Sequence, residues 1–241
     1  YAAQMLCAYY DKTCDSHELF SEYEIAEDVS YEKHLNKYDV IYLDMTQIMG
    51  EAGKNGFIEF IKEKVTDEIQ FMYPDVKTDS AFSTTLVNTV EKNQNKIIII
   101  IDEWDAPIRE IPHMEKPYLE FLRMLFKSSG TTSKIFAAAY MTGILPIKKD
   151  GSQSAISDFR EYSMVKPRGY GEYVGFVEQE VKDLCDEHHV SFDMMKRWYD
   201  GYEFKDVGSV YNPNSVMQAI ENDDFDSYWT ETSAAEGLME Y

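Results

Sequence analysis

The chain has 241 residues, which suits one large domain or one domain with a small appendage. A hydrophobic fraction of 44% with 14% aromatic residues is sufficient for a packed core, so the composition excludes a chain that is disordered throughout. The formal net charge of −21 repels a phosphate backbone, and we therefore expect no direct nucleic-acid binding.

Location is also constrained by composition. No apolar run approaches the roughly 18 residues that span a bilayer, so we expect no membrane partner. Three cysteines are too few, and odd in number, for a disulfide framework, which favours a reducing compartment. An acidic surface that keeps the protein soluble agrees with a cytoplasmic location.

Apolar residues predict three buried β-strands, at residues 40–44, 97–103 and 136–142. None of these runs alternates with polar residues, which is typical of parallel strands covered on both faces. The sequence between them has apolar residues at helical spacing over residues 57–72, 81–92 and 117–127. Strands that alternate with helices predict an α/β fold with a three-layer parallel sheet, in which 97–103 is central.

Towards its end the sequence changes from apolar strands to short polar helices. Ser191 is a suitable N-cap for one of them, and Pro213 after Asn212 suits the first turn of another. We expect helices over 177–188, 192–199 and 212–220, with a short strand at 210–211. The chain then divides into an α/β core, residues 1–169, and a helical or winged-helix-like appendage, residues 170–241.

The isoleucine strand ends in two acids, Asp102 and Glu103. In a parallel sheet, chemistry collects at the carboxyl ends of the strands. A nucleotide hydrolase uses such a pair in two ways: the first acid holds Mg²⁺, and the second polarises the water that attacks the γ-phosphate. We therefore predict that Asp102 binds the metal and that Glu103 is the catalytic base. The alternative is a strand end whose acids only face solvent.

Two further strand ends carry polar residues. Thr142 follows the strand at 136–142 and would lie beside the acids, where it could contact the γ-phosphate of bound ATP. A Thr–Gly turn that only ends the strand is the alternative. Asp44 ends the first strand, and it either contributes to the metal site or anchors the following loop.

Residues 148–168 form a basic segment, with five basic and three acidic side chains in an otherwise acidic chain. One base in such a segment can stabilise transition-state charge, as an arginine finger does. Arg168 is our candidate, because it lies near the predicted junction with the appendage. Ordinary surface bases are the alternative.

A phosphate-binding loop of the pattern G-x-x-x-x-G-K-[ST] is not found. The nearest match ends in Gly53, Lys54 and Asn55. Ile48 stands where the first glycine belongs, and Asn55 replaces the Ser or Thr. We therefore expect a flexible surface loop here.

Four motifs in order resemble the predicted bacterial AAA-ATPase-like family. They are Ile98–Pro107 (IIIIDEWDAP), Met141–Lys148 (MTGILPIK), Trp198–Tyr202 (WYDGY) and Val210–Pro213 (VYNP). The resemblance runs from residue 1 to about residue 233. It implies a P-loop NTPase-type sheet whose second nucleotide motif, the Walker B motif, contains Asp102 and Glu103. In this family the first strand and the phosphate loop precede the helix that begins near Tyr1, so we expect them upstream of this chain.

The resemblance implies Mg²⁺-dependent ATP binding and hydrolysis in the intact protein, coupled to a protein partner or to a C-terminal nuclease-like domain of the PD-(D/E)XK kind. This chain alone, without the loop, is expected to be inactive. The alternative is a nucleotide-responsive interaction module, or switch, with little or no turnover.

Overall fold

A computed structural model of the chain describes residues 1–127, 130–145 and 159–228. The chain divides into two compact units, Tyr1–Phe159 and Arg160–Tyr241. This division falls earlier than the predicted one between residues 169 and 170. Residues 160–169 belong to the second unit, where the rings of Tyr162 and Tyr170 pack edge to face with centroids 4.8 Å apart.

The first unit contains a three-stranded parallel sheet. Its strands are β1 (Asp39–Asp44), β2 (Ile97–Asp102) and β3 (Phe136–Met141), in the spatial order β1–β2–β3. The predicted central strand with its two flanking strands is confirmed. In the register, Asp44 lies opposite Asp102, so neighbouring strands end at the same level.

Helices surround this sheet, and those predicted over 57–72, 81–92 and 117–127 are confirmed with small shifts of their ends. The helices of the first unit are α1 (Ala2–Tyr10), α2 (His17–Phe20), α3 (Tyr31–His34), α4 (Met45–Ala52), α5 (Phe57–Met72), α6 (Phe82–Asn93), α7 (Ala106–Glu110), α8 (Glu115–Phe126) and α9 (Thr132–Ile135). Short 3₁₀ segments are formed by Glu24–Glu27 and Pro112–Met114.

The isoleucines of β2 are divided between two cores, because successive side chains of a strand point to opposite faces. Ile97, Ile99 and Ile101 belong to the large core formed with α4 to α8. Ile98 and Ile100 pack on the other face, together with Ala3 of α1.

The expectation that all three strands are covered on both faces is correct for β2 and wrong for β3. In β3 the side chains of Ala137, Ala138 and Tyr140 are exposed. The physical reason is that α1 packs against β1 and β2, the two strands farther from this edge. Small alanine side chains have little apolar area, so their exposure costs little.

The second unit contains a three-stranded antiparallel sheet in the order β4–β6–β5. Its elements are a 3₁₀ segment (Gly171–Tyr173), β4 (Phe176–Val177), α10 (Glu178–His188), α11 (Phe192–Tyr199), β5 (Asp200–Phe204), β6 (Gly208–Tyr211) and α12 (Pro213–Asn222). The three predicted helices are confirmed, with Ser191 and Asn212 capping α11 and α12. The strands β4 and β5 were not predicted, so this unit contains a sheet in addition to the predicted helices; the winged-helix-like character stays a prediction.

Among the helices of the described residues, none is both long enough and apolar enough to cross a bilayer.

Candidate functional site

The acids after β2 lie in a sharp turn, residues 102–105, which we call the acid turn. Asp102 is the last residue of β2, and Glu103 has a left-handed backbone with φ of 50°. A left-handed conformation costs a non-glycine residue about 1 kcal/mol and persists only where the surroundings enforce it. Here the backbone N–H of Trp104 donates to the carbonyl of Thr142 (2.8 Å), so the end of β3 fixes the turn.

Thr142 connects the two strand ends through its side chain as well. Its hydroxyl donates to Oδ1 of Asp102 and accepts from the backbone N–H of Glu103 at 3.2 Å. Its own N–H donates to the carbonyl of Ile101 at 3.0 Å. Thr142 therefore does more than end β3: it contacts the carboxylate of Asp102 and the backbone of Glu103, beside the acids as the strand order predicted. Its contact with a γ-phosphate stays a prediction.

The second oxygen of Asp102 faces Tyr42, whose hydroxyl lies 3.5 Å from Oδ2. Burial, together with the charges of Asp102 and Asp44, raises the pKa of Tyr42 to about 12. The phenol therefore stays protonated at neutral pH and can serve as a donor to Asp102. Both oxygens of this half-buried carboxylate are thus oriented by hydroxyl groups.

Asp44 anchors the segment that follows β1, which is a helix and not the predicted loop; its contribution to a metal site stays a prediction. It is the N-cap of α4, and its Oδ1 accepts from the backbone N–H of Gln47 at 3.0 Å. This contact satisfies one of the free N–H groups at the start of the helix.

The carboxylate of Glu103 is half exposed, with 53% of the side chain accessible. Its Oε2 accepts from Thr46 Oγ1 at 3.1 Å and lies 3.3 Å from Nη2 of Arg109. Neither partner was predicted. The available signal for Arg109 was its spacing from Asp105, because an acid and a base four residues apart are neighbours on a helix.

Asp105 is the buried acid of the turn, with 0% of its side chain exposed. Its Oδ2 accepts from Nε of Arg109 and from the N–H of Leu145, both at 2.9 Å, and its Oδ1 accepts from the N–H of Ile144 at 3.2 Å. Gly143 lies against this group: a Cβ there would be 2.4 Å from Asp105 Oδ1 and 2.6 Å from Trp104 Cδ1. Only glycine fits between Thr142 and the buried carboxylate.

Arg168, the predicted catalytic arginine, belongs to the second unit. It has a left-handed backbone (φ 58°), and its guanidinium lies over the ring of Tyr162, 5.7 Å from the centroid. Its catalytic role stays a prediction. Residues 148–158 of the basic segment lie outside the described residues. Its two other bases, Arg160 and Lys166, belong to the second unit.

The loop at Gly53 and Lys54 lies between two helices. Gly53 is the C-cap of α4, and α5 begins at Phe57. A phosphate loop of the P-loop type connects a strand to a helix, so this loop lacks the required context.

The donor chemistry of the acid turn suits Mg²⁺. Within residues 1–127, 130–145 and 159–228, no three His, Cys, Asp or Glu side chains are grouped to hold a metal. Mg²⁺ in nucleotide sites is usually bound by one or two carboxylates together with phosphates and water. The carboxylate of Asp102 therefore fits an ion that arrives with a nucleotide, with Glu103 left beside it to act on water.

These features define an α/β chain with paired acids at the carboxyl end of a parallel sheet. The chain belongs to the family described as Predicted AAA-ATPase, whose model matches residues 2–152. The match contains the acid turn and Thr142.

A curated relative is the uncharacterized protein in the vnfD 5′ region of Azotobacter chroococcum mcd 1. It is 22% identical over 150 residues, which cover 60% of this chain and 28% of the relative. The chain thus matches less than a third of that protein. No solved structure matches the chain.

Proposed function

We propose that the carboxyl end of the β1–β3 sheet binds and hydrolyses ATP with Mg²⁺ in an intact protein that also carries a phosphate-binding loop. The observation that carries this proposal is the contact of the Thr142 hydroxyl with the Asp102 carboxylate and the Glu103 backbone N–H, which joins the ends of two neighbouring strands. In this proposal the sheet is of the P-loop NTPase type, and hydrolysis drives a protein partner or a nuclease-like domain.

Each residue has a distinct part. Asp102, with both oxygens oriented by hydroxyl groups, holds the magnesium. The half-exposed carboxylate of Glu103 accepts a proton from the attacking water. Thr142 responds to the γ-phosphate. When bound, Mg²⁺ neutralises charge on the phosphates.

The direction of α1 supports an upstream phosphate loop. The helix ends beside Tyr38, the residue that precedes β1: the N–H of Tyr38 donates to the carbonyl of Tyr10, and the N–H of Lys12 donates to the carbonyl of Tyr38, both at 2.9 Å. Its first turn therefore points towards the carboxyl end of the sheet, and Ala3 packs with Ile100 there. A loop that precedes α1 would present its N–H groups to phosphates beside the acid turn.

The free edge of β3 supports an additional strand. Among the described residues β3 pairs with β2 alone, and its side chains at Ala137, Ala138 and Tyr140 are exposed. A strand that leads into the phosphate loop would cover this edge.

A second candidate is a nucleotide-responsive switch with negligible turnover. It is favoured by the contacts of Glu103, whose carboxylate is engaged by Thr46 and Arg109. Both contacts fall on Oε2, so less of the carboxylate is available to activate water. Addition of a partner or of DNA should stimulate hydrolysis if the chain is an ATPase, and should change only binding if it is a switch.

The test uses a chain that includes the upstream phosphate loop. Glu103→Gln should lower turnover by about 100-fold or more while ATP binding is kept, because general-base catalysis is lost and phosphate contacts are not. Asp102→Asn should raise the Mg²⁺ concentration needed for activity. Glu110→Gln, which changes an exposed glutamate on α7, is the matched control and should behave as the parent. Parental turnover in Glu103→Gln would show that Glu103 is not the base.

A further inference from the structure

Asp105 occupies the N-cap position of α7, but its carboxylate does not cap that helix. An aspartate at this position ordinarily accepts a hydrogen bond from an N–H of the first helical turn. Here both carboxylate oxygens are directed instead at the segment that follows β3 and at Arg109. The side chain therefore makes tertiary contacts in place of the local one.

These contacts offset the free-energy cost of burying the charged carboxylate of Asp105. A fully buried carboxylate is tolerated when several donors and a cation surround it. Asp105 has two backbone donors, Ile144 and Leu145, and a charged donor, Arg109. Asparagine would offer one acceptor oxygen in place of two, and its NH₂ group would face a donor, so at least one of these contacts would be lost.

Asp105 has two sets of contacts, which we call its two arms: one with Ile144 and Leu145, the other with Arg109. Each arm leads to a proposed catalytic residue. Through Ile144 and Leu145, Asp105 fixes the segment directly after Thr142 and Gly143. Through Arg109, whose Nε contacts Asp105 and whose Nη2 contacts Glu103, it fixes the side chain of the proposed base. One buried acid thus touches the supports of both Thr142 and Glu103.

We propose that Asp105 is a positioning residue for nucleotide hydrolysis, which sets the Thr142 hydroxyl and the Glu103 carboxylate in place relative to Asp102. The proposal rests on the proposed function. Because its side chain is fully buried, Asp105 acts through the segment 143–145 and through Arg109. A displacement of catalytic groups by about 1 Å can cost about 100-fold in rate, which sets the size of the expected effect.

The first measurement uses the 241-residue chain and needs no activity. Amide hydrogen exchange at Ile144 and Leu145 should be slow in the parent chain. Asp105→Asn should accelerate it selectively, while the amides of β2 stay protected. Unchanged exchange at both amides would show that Asp105 does not hold the segment 143–145, and would overturn the proposal.

The second measurement uses the chain with the phosphate loop. Asp105→Asn should lower kcat for ATP by about 100-fold and leave KM within about twofold, because binding groups are unchanged and reacting groups are displaced. Asp39→Asn is the matched control. Asp39 is also a largely buried, ion-paired carboxylate of the first unit (13% exposed), but it lies at the opposite end of the sheet. It should leave kcat unchanged.

Three results separate the possibilities. A fall in kcat in Asp105→Asn alone supports the proposal. Equal kcat values in Asp105→Asn, Asp39→Asn and the parent overturn it and leave the proposed function standing. Absence of Mg²⁺-dependent turnover in the parent contradicts the proposed function itself. If Asp105→Asn does not fold, Arg109→Gln tests the proposal instead, because, of the contacts that Asp105 makes, it removes only the one with Arg109. A reduced kcat in Arg109→Gln supports the proposal, and a parental kcat overturns it.

Discussion

The carboxylates at the two ends of the parallel sheet differ in the number of contacting cations per carboxylate. At the amino end, Asp39 is paired with Lys12 at 2.9 Å and accepts a hydrogen bond from the hydroxyl of Tyr73 at 2.5 Å. At the carboxyl end, Asp44, Asp102, Glu103 and Asp105 are close in space or sequence, and Arg109 contacts two of them.

The difference concerns charge balance. One acid with one lysine is neutral and stabilises the structure by itself. Four acids near one arginine, which contacts two of them, keep an excess of negative charge, which is unfavourable unless a cation compensates it. The amino end therefore has the composition of a structural ion pair, and the carboxyl end keeps a negative charge that the Mg²⁺ of the proposed function would balance.

Stability measurements give the largest contrast between the two ends. Asp39→Asn should destabilise the chain by about 1 kcal/mol, because it removes a partly buried, charge-assisted contact. Asp102→Asn should be neutral or stabilising, because it relieves repulsion while the amide oxygen still accepts from Thr142. Urea-induced unfolding of both variants measures the contrast. A loss of stability in Asp102→Asn equal to that in Asp39→Asn would contradict the distinction between the two ends.

The second unit extends the comparison to an acid with an excess of cations. Glu178 lies 2.6 Å from Lys182 and 2.6 Å from Lys196. Hydrogen bonds from Lys182 and then Lys196 lower the pKa of Glu178 to about 2. Because the pKa is lower in the folded state, this contribution is present above the ordinary glutamate pKa and is lost as the pH falls towards 2.

The expected effect is small, because these side chains are accessible to solvent. Acid unfolding of the second unit should begin at lower pH in the parent chain than in Glu178→Gln, and circular dichroism between pH 5 and pH 2 measures it. Glu187→Gln, which changes an exposed glutamate of the same helix, serves as the control for a general change in charge. Identical acid transitions in the parent and Glu178→Gln would show that the two lysines do not act on Glu178.

The strands of the first unit could be predicted because unbroken apolar runs have few other structural solutions. Five consecutive isoleucines in β2 predict a strand that is buried on both faces. The weaker strands β4 and β5 were not predicted, because β4 has two residues and most of β5 is exposed, so neither has a hydrophobic pattern. Helix ends were predictable where a cap residue marked them, as at Ser191 and Asn212.

The acids at the end of β2 were likewise predictable, whereas their partners were not. Thr142 could be placed beside Asp102 because parallel strands end at one level. Arg109, Thr46 and the tertiary role of Asp105 depend on side-chain directions in a turn with a left-handed Glu103, and no periodicity in the sequence reports these directions. Arg168 was chosen for its position in the sequence, which does not determine proximity in space.

The most direct test of a nucleotide site at the carboxyl end is isothermal titration of two chains with ATP and Mg²⁺. The 241-residue chain presents Asp44, Asp102 and Glu103 without a loop lysine, so it should bind ATP weakly or not at all. A chain extended upstream to include the expected phosphate loop should bind ATP and hydrolyse it. Tight binding by the short chain would contradict this account and point to another phosphate site, and absence of binding by the extended chain would contradict it outright.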